Sequence, residues 1–293
     1  MSKMNVINAL KYWNLESESV EHIYTSVHNS SWKIGDKYVL QQQLKPNAER
    51  LSGKIHLANL LAKESIPTVK YIKTTSGEWT SPDGAYSLME KLKGEHIDFY
   101  ESPEMMHELG CGLAQLHLVL SKVESELQFS DYDFLAEWNS YTKSGLVGVS
   151  DEILERVEEK ILEIYWNLPR SPIHRDVHSE NVLFEDEKIS GWLDFDLNRK
   201  DARIFDIAYI LAGLLVGRIN DPAMLEIWGI IRNNLLDGYN EVSQLTTEEI
   251  EVLPFLLIVI ELLFVTYFNN MDNPTGRDDA HALAMWLWDS VKC

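Results

Sequence analysis

Apolar and polar positions along this chain follow two different periods, and the change from one to the other divides it. Through the first ninety residues, short runs with a period of two alternate with one helical stretch. Residues 31–34 and 37–43 read as strands joined by Gly35-Asp36, a two-residue hairpin turn. On the second strand Tyr38, Leu40 and Gln42 face one side, while Val39, Gln41 and Gln43 face the other. Residues 48–64 take helical spacing, with Leu51, Ile55, Leu57, Leu60 and Leu61 as the apolar stripe, and Ile66-Pro67 ends the helix. Strand-like pattern returns at 69–74 and 86–92, separated by turn residues Ser76-Gly77 and Pro82-Asp83-Gly84.

After Gly94 the period becomes helical. Ser102-Pro103-Glu104 predicts a helix start, followed by Met106, Leu109, Leu113, Leu116 and Leu120 on one face. Residues 151–168 read as an amphipathic helix with an acidic solvated face, and 207–216 and 252–268 as apolar core helices. The last run, 17 residues with Pro254 and Glu261 inside it, is expected to be a buried core helix rather than a membrane span. The pattern therefore predicts an α+β, bilobal chain. A small antiparallel-sheet lobe would cover residues 1–92 and a larger, mostly helical lobe residues 93–293.

Composition narrows the partners. The chain has 293 residues and a formal net charge of −20, with no basic block to neutralise phosphates, so neither nucleic acid nor an anionic membrane surface is an expected partner. Only Cys111 and Cys293 are present, and no secretory signal is evident at Met1 to Asn5, so a cytoplasmic location is expected.

Candidate chemistry is concentrated in residues 171–206, which read as strand, loop, hairpin and loop. The stretch holds His174-Arg175-Asp176-Val177-His178-Ser179-Glu180-Asn181 and Gly191-Trp192-Leu193-Asp194-Phe195-Asp196. An Asp, an Asn five residues on and a second Asp eighteen residues on form the skeleton of a phosphoryl-transfer site. Asp176 would orient and deprotonate an acceptor hydroxyl. A hairpin at 182–193 would fold Asn181 and Asp194 toward each other, and one amide and one carboxylate suit Mg2+ with phosphates completing its shell. His174 opens the catalytic loop and is expected to pack beneath it rather than act as acid or base. A zinc site from His174, Asp176 and His178 is the competing chemistry, but the remaining histidines form no second cluster.

At these residues the chain resembles the aminoglycoside phosphotransferase and choline-kinase superfamily, small-molecule kinases with a protein-kinase-like fold. The His-x-Asp-x-x-x-x-Asn loop matches His174, Asp176 and Asn181, and the metal Asp matches Asp194. Asn29 with Trp32-Lys33-Ile34 resembles the nucleotide loop and second strand. Leu88-Met89-Glu90, with Gly94 after it, resembles the hinge beside adenine. Leu113-Ala114-Gln115-Leu116-His117 and Phe205-Asp206-Ile207-Ala208 resemble two further helix motifs. The resemblance implies ATP and Mg2+ as cofactors and a small-molecule hydroxyl compound as acceptor. Asn29, Lys33 and Gln41 would contact nucleotide, and the backbone of Met89, Glu90 and Lys91 would contact adenine.

Two features set the chain apart from a protein kinase. No Gly-x-Gly-x-x-Gly occurs near 27–31, and only eleven residues lie between Asp194 and Asp206, too few for a peptide-docking activation segment. The phosphate-pairing Lys or Arg of the third strand is replaced by Gln41, as in some sugar kinases of the superfamily, and its helix partner falls near His56. Lys33 or Lys37 would have to supply the missing charge. The acceptor remains open among aminoglycosides, sugars and amino alcohols, with Glu261, Asp272, Asp278, Asp279, Trp286 and Trp288 as candidate contacts. A catalytically degenerate nucleotide-binding protein is the alternative.

Overall fold

The computed structural model describes residues 3–25, 29–98, 102–127, 129–131, 134–143, 146 and 148–291. Cys293 and positions 27 and 28 of the glycine-poor loop lie outside the described residues. The chain separates into two compact units. The first is Met1–Glu95 with Leu183–Asp186 and Ser190–Leu193, and the second holds the rest.

In the first unit, α1 (Lys3–Leu10) precedes β1 (Val20–Thr25), β2 (Asn29–Ile34), β3 (Tyr38–Gln43), α2 (Ala48–Lys63), β4 (Tyr71–Ile72) and β5 (Tyr86–Glu90). The five strands form one antiparallel sheet in the order β1-β2-β3-β5-β4. The expected hairpin forms, but Ile34 lies opposite Tyr38, so its turn is the three residues Gly35, Asp36 and Lys37 rather than two, and Gly35 takes a positive φ of 54° within it. Tyr38 and Leu40 pack with Trp32, Ile34, Tyr86, Leu88 and the buried Val6, Ala9 and Leu10 of α1. The run at 69–74 yields only the two-residue β4. From Thr74 the chain turns back on itself, with Thr74 N–H donating to the Glu78 carbonyl at 2.7 Å.

The second unit contains α3 (Pro103–Val123), α4 (Phe134–Lys143), α5 (Asp151–Ile164), β6 (Arg170–Ile173), β9 (Arg199–Ala202), α6 (Ile204–Leu215), α7 (Pro222–Val242), α8 (Thr247–Asn270) and α9 (Pro274–Val291). Ser102 caps α3, accepting from Met105 N–H, and all five expected stripe residues of that helix are fully buried. α3 packs on α7 through two glycines. A methyl group on Gly110 would lie 2.2 Å from the Leu235 carbonyl oxygen, and one on Gly238 would lie 2.1 Å from that of His107. Only hydrogen fits at this crossing.

α8 is 24 residues long and apolar enough, by length and composition, to cross a membrane. In the structure 61% of its most apolar stretch is buried, packed on α5, α6 and α9, and a Thr246–Glu249 capping box starts it. Arg203 clamps Glu249 through two hydrogen bonds of 2.8 Å.

Between β6 and β9 the chain makes the hairpin β7 (Val182–Glu185) and β8 (Lys188–Trp192). Its two-residue turn places Asp186 and Glu187 at φ 50° and 61°, the left-handed pair a type I′ turn requires. Most of the hairpin groups with the first unit, which a division at residue 92 leaves out. Backbone bonds account for this: Phe184 and Glu95 exchange N–H to carbonyl bonds of 3.0 and 2.9 Å, and Trp192 N–H reaches the Pro67 carbonyl at 2.8 Å. Gly94, at φ 97°, lets these strands approach, since a methyl there would lie 2.6 Å from the Phe184 carbonyl oxygen.

Candidate active site

Four residues of β6 carry the chain to the buried Ile173, and the candidate catalytic loop starts at the next residue. Its first two N–H groups have no strand partner and are taken by one carboxylate. Asp206, buried in the first turn of α6, accepts from His174 N–H at 2.9 Å and from Arg175 N–H at 2.7 Å. The same carboxylate lies 3.0 Å from His117 Nε2, whose Nδ1 lies 2.8 Å from the Tyr239 hydroxyl. An N–H at Nε2 donating to Asp206 and the tyrosine hydroxyl donating to Nδ1 satisfies the whole chain of contacts. This anchor holds Arg175 at φ 67°, a left-handed conformation that costs an arginine about 1–2 kcal/mol.

The anchored loop presents Asp176. Tyr209, one turn along α6 from Asp206, donates its hydroxyl to Asp176 Oδ1 at 2.9 Å. Asn181 Nδ2 donates to the Asp176 carbonyl oxygen at 2.8 Å and to Oδ2 at 3.2 Å, and lies 3.0 Å from His178 Nε2. Burial raises the affinity of Asp176 for a proton, but His178, the Tyr209 hydroxyl and His174 outweigh it and hold the carboxyl below its usual value. Asp176 is therefore ionised at neutral pH, ready to accept a hydroxyl proton's hydrogen bond. His174 is fully buried: its Nδ1 accepts from Asp176 N–H at 3.3 Å, and its ring lies 4.6 Å from that of Phe195.

Asn181 immediately precedes β7, and Asp194 follows two residues after β8 ends, so the tight hairpin returns both to its open end. Because Asn181 commits its nitrogen to Asp176, its carbonyl oxygen is the end of the amide that a cation can use. Asp194 is exposed at φ 53°, with Oδ1 accepting a 3.3 Å bond from Asp196 N–H. A carboxylate and an amide oxygen are hard donors, which fits Mg2+. The competing zinc cluster is not assembled: among the described residues, the ligand atoms that converge within 4.8 Å are those of His107, Cys111 and Glu241.

The nucleotide candidates of the first unit are arranged differently from one another. Asn29 is buried opposite Gln43 in the sheet, and Gln41 lies in register between Ser31 and Ser87. Lys33 Nζ pairs with Asp36 Oδ1 at 3.0 Å, within its own hairpin. In the hinge segment, the N–H of Glu90 donates to the Lys70 carbonyl at 2.8 Å and that of Lys91 to the Lys37 carbonyl at 2.7 Å. Those two donors are engaged within the protein. Met89 is a buried ladder residue opposite Val39.

Beside the loop, the second unit holds a half-open cavity of about 210 Å3, lined among others by His178, Tyr209, Arg218, Glu261, Phe264 and Phe268. Of the acceptor contacts considered from the sequence, Glu261 alone lines it. Trp288 is buried and Asp278 pairs with Arg277. Sequence reasoning passed over Tyr209 and Arg218 and weighed His178 only as a zinc ligand. The one usable signal was the spacing of Tyr209, three residues beyond Asp206 and so on the adjoining helical turn.

Comparison with known proteins agrees with this architecture. A homoserine kinase of Methylobacillus flagellatus is 26% identical over 287 residues, covering 93% of this chain and 86% of that one. A homoserine kinase of Sinorhizobium medicae is 31% identical over 196 residues, covering 64% of this chain and 55% of that one. In fold, the chain is similar to the amicoumacin kinase hAmiN in complex with AMP-PNP, Ca2+ and Ami, with TM-score 0.76 and 15% identity, covering 99% of this chain and 93% of that one. It is also similar to a choline/ethanolamine kinase family protein from Mesorhizobium loti, with TM-score 0.72 and 15% identity, covering 98% and 95%. The model of the phosphotransferase enzyme family matches residues 22–244. The chain belongs to that family, and it is an ATP-dependent phosphotransferase acting on a hydroxyl of a small molecule.

Proposed function

We propose that the acceptor is a small hydroxy-amino acid of the homoserine type and that Asp176 is the residue that activates it. The observation that carries this reading is the cavity beside Asp176. At about 210 Å3 it falls below the roughly 300 Å3 at which drug-sized ligand sites begin, so it suits a metabolite better than a multi-ring antibiotic. Arg218, the one arginine or lysine in its lining, would meet a carboxylate. The homoserine kinases among the relatives support the same class.

In this reading the acceptor hydroxyl donates to Asp176, and its oxygen forms the new bond to the γ-phosphorus as the bond to ADP breaks. The hydroxyl proton passes to Asp176. An ionised aspartate of low basicity suffices where the transition state is loose and the proton leaves late. Tyr209 and Asn181 fix the carboxylate, and His174 and Asp206 position the loop beneath it. Asn181 and Asp194 would hold Mg2+, which when bound neutralises charge on the phosphates. The first unit would hold the nucleotide, with adenine's amine on a hinge carbonyl of 89–91, since the N–H groups of Glu90 and Lys91 are engaged. Asn29 and Gln41 would contact the phosphates as neutral donors. Lys33 would join them only by leaving Asp36.

The test is a panel of hydroxyl compounds offered to the purified chain with MgATP: homoserine, serine, choline, a neutral sugar and kanamycin. Phosphorylation of homoserine ahead of the others is expected. A preference for the sugar or kanamycin refutes the assignment of the acceptor.

A further inference from the structure

We infer that Glu261 is the group that receives the ammonium of the acceptor, so that the cavity selects hydroxyl compounds carrying a primary ammonium. This rests on the proposed acceptor class and adds the residue that enforces it. Glu261 projects from α8 into the cavity, is 1% exposed, and among the described residues neither of its carboxylate oxygens has a hydrogen-bond partner. A buried carboxyl left without partners is costly, and a leucine would serve packing in α8 better. The cost is recovered when a ligand brings N–H donors to those oxygens.

The surrounding walls suit a cation. Phe264 stacks on Phe268 at 5.5 Å between ring centres and lies 6.0 Å from Tyr209, and all three rings line the same cavity. Their faces attract an ammonium group. Tyr209 links the two ends of the acceptor site. Its hydroxyl is bonded to Asp176, and its ring lines the cavity together with Glu261. An acceptor spanning the cavity would place its hydroxyl at Asp176 and its ammonium at Glu261.

Protonation couples to this binding. Burial pushes the Glu261 carboxyl up to about 8, so in the ligand-free chain at pH 7 it keeps its proton. The other charged or titratable groups lining the cavity are Asp98 before α3, His178 of the loop, Tyr209 of α6 and Arg218 beyond α6. Arrival of an ammonium group drives the Glu261 proton off, and acceptor binding releases it to solvent.

The experiment compares homoserine with 4-hydroxybutyrate, the same carbon chain without the ammonium, in wild type and in Glu261→Gln. Loss of one partner of a buried charge pair predicts a fall in kcat/KM for homoserine of roughly 30-fold or more, with 4-hydroxybutyrate little changed. Calorimetry in buffers of different ionisation heat should show proton release on homoserine binding at pH 7 in wild type and none in the variant. Glu261→Met, apolar and of similar length, should lose the same preference and guards against a fold defect peculiar to one variant. If homoserine is phosphorylated and both variants keep the wild-type preference and proton release, the Glu261 assignment falls while the function stands. If the wild type phosphorylates no ammonium-bearing hydroxyl compound, both fall together.

Discussion

Replacing Glu261 by glutamine should remove one component of the pH dependence of stability. The carboxyl rises from an ordinary 4.5 to about 8 on folding, because burial disfavours its charged form. The unfolded chain sheds this proton above pH 4.5 while the folded chain keeps it, so stability is fully present below 4.5 and is lost as pH rises toward 8. The shift of about 3.5 units, at ~1.36 kcal/mol each, gives a decline of about 5 kcal/mol across that window. Glutamine stays neutral and keeps the shape. Urea melts of wild type and Glu261→Gln at pH 5, 6, 7 and 8 isolate the term, because every other titrating group contributes equally to both and cancels in the difference. The stability of wild type relative to the variant should fall by ~1.4 kcal/mol per pH unit. A difference that stays flat across this range would show that Glu261 titrates normally, and the reasoning from its burial would be wrong.

Other expectations follow from the same geometry. Gly110→Ala should destabilise the chain by about 2–4 kcal/mol in urea melts, since its methyl would sit 2.2 Å from the Leu235 carbonyl oxygen with backbone on both sides. Glu187→Gly should stabilise by about 0.5–1 kcal/mol, because its φ of 61° strains a residue with a side chain but not glycine. Tyr209→Phe deletes the hydroxyl that orients Asp176, and kcat should drop by roughly 10-fold or more with the nucleotide KM unchanged, as read by ADP release.

The conformation of the candidate catalytic loop was legible in the sequence because it depends on local spacing. Asp176 and Asn181 are close enough in the chain for one short turn to bring them into contact, and the hairpin that returns Asp194 could be read from two apolar runs and a short turn. Helices with strong stripes, such as α3 and α8, were equally readable. What escaped was set by distant partners. β9 exists because it pairs with β6, with Arg170 opposite Ala202 and Ile173 opposite Arg199, and its own Arg-Lys-Asp-Ala carries no strand pattern. The grouping of the β7–β8 hairpin with the first unit rests on backbone bonds to Pro67 and Glu95, which no side-chain pattern announces. The engaged N–H groups of Glu90 and Lys91 and the Lys33–Asp36 pair are likewise invisible to periodicity. The role of Tyr209 depends on the anchoring of α6 to the loop through Asp206, a long-range contact.

The most direct test of the account is the homoserine-dependent release of ADP by wild type and Asp176→Ala, with the product identified by phosphorus NMR. The account predicts saturable ADP release matched one-for-one by a phosphate ester of homoserine in wild type, and loss of both in the variant. ADP release that ignores homoserine, or an Asp176→Ala protein that still makes the ester at the wild-type rate, would contradict it.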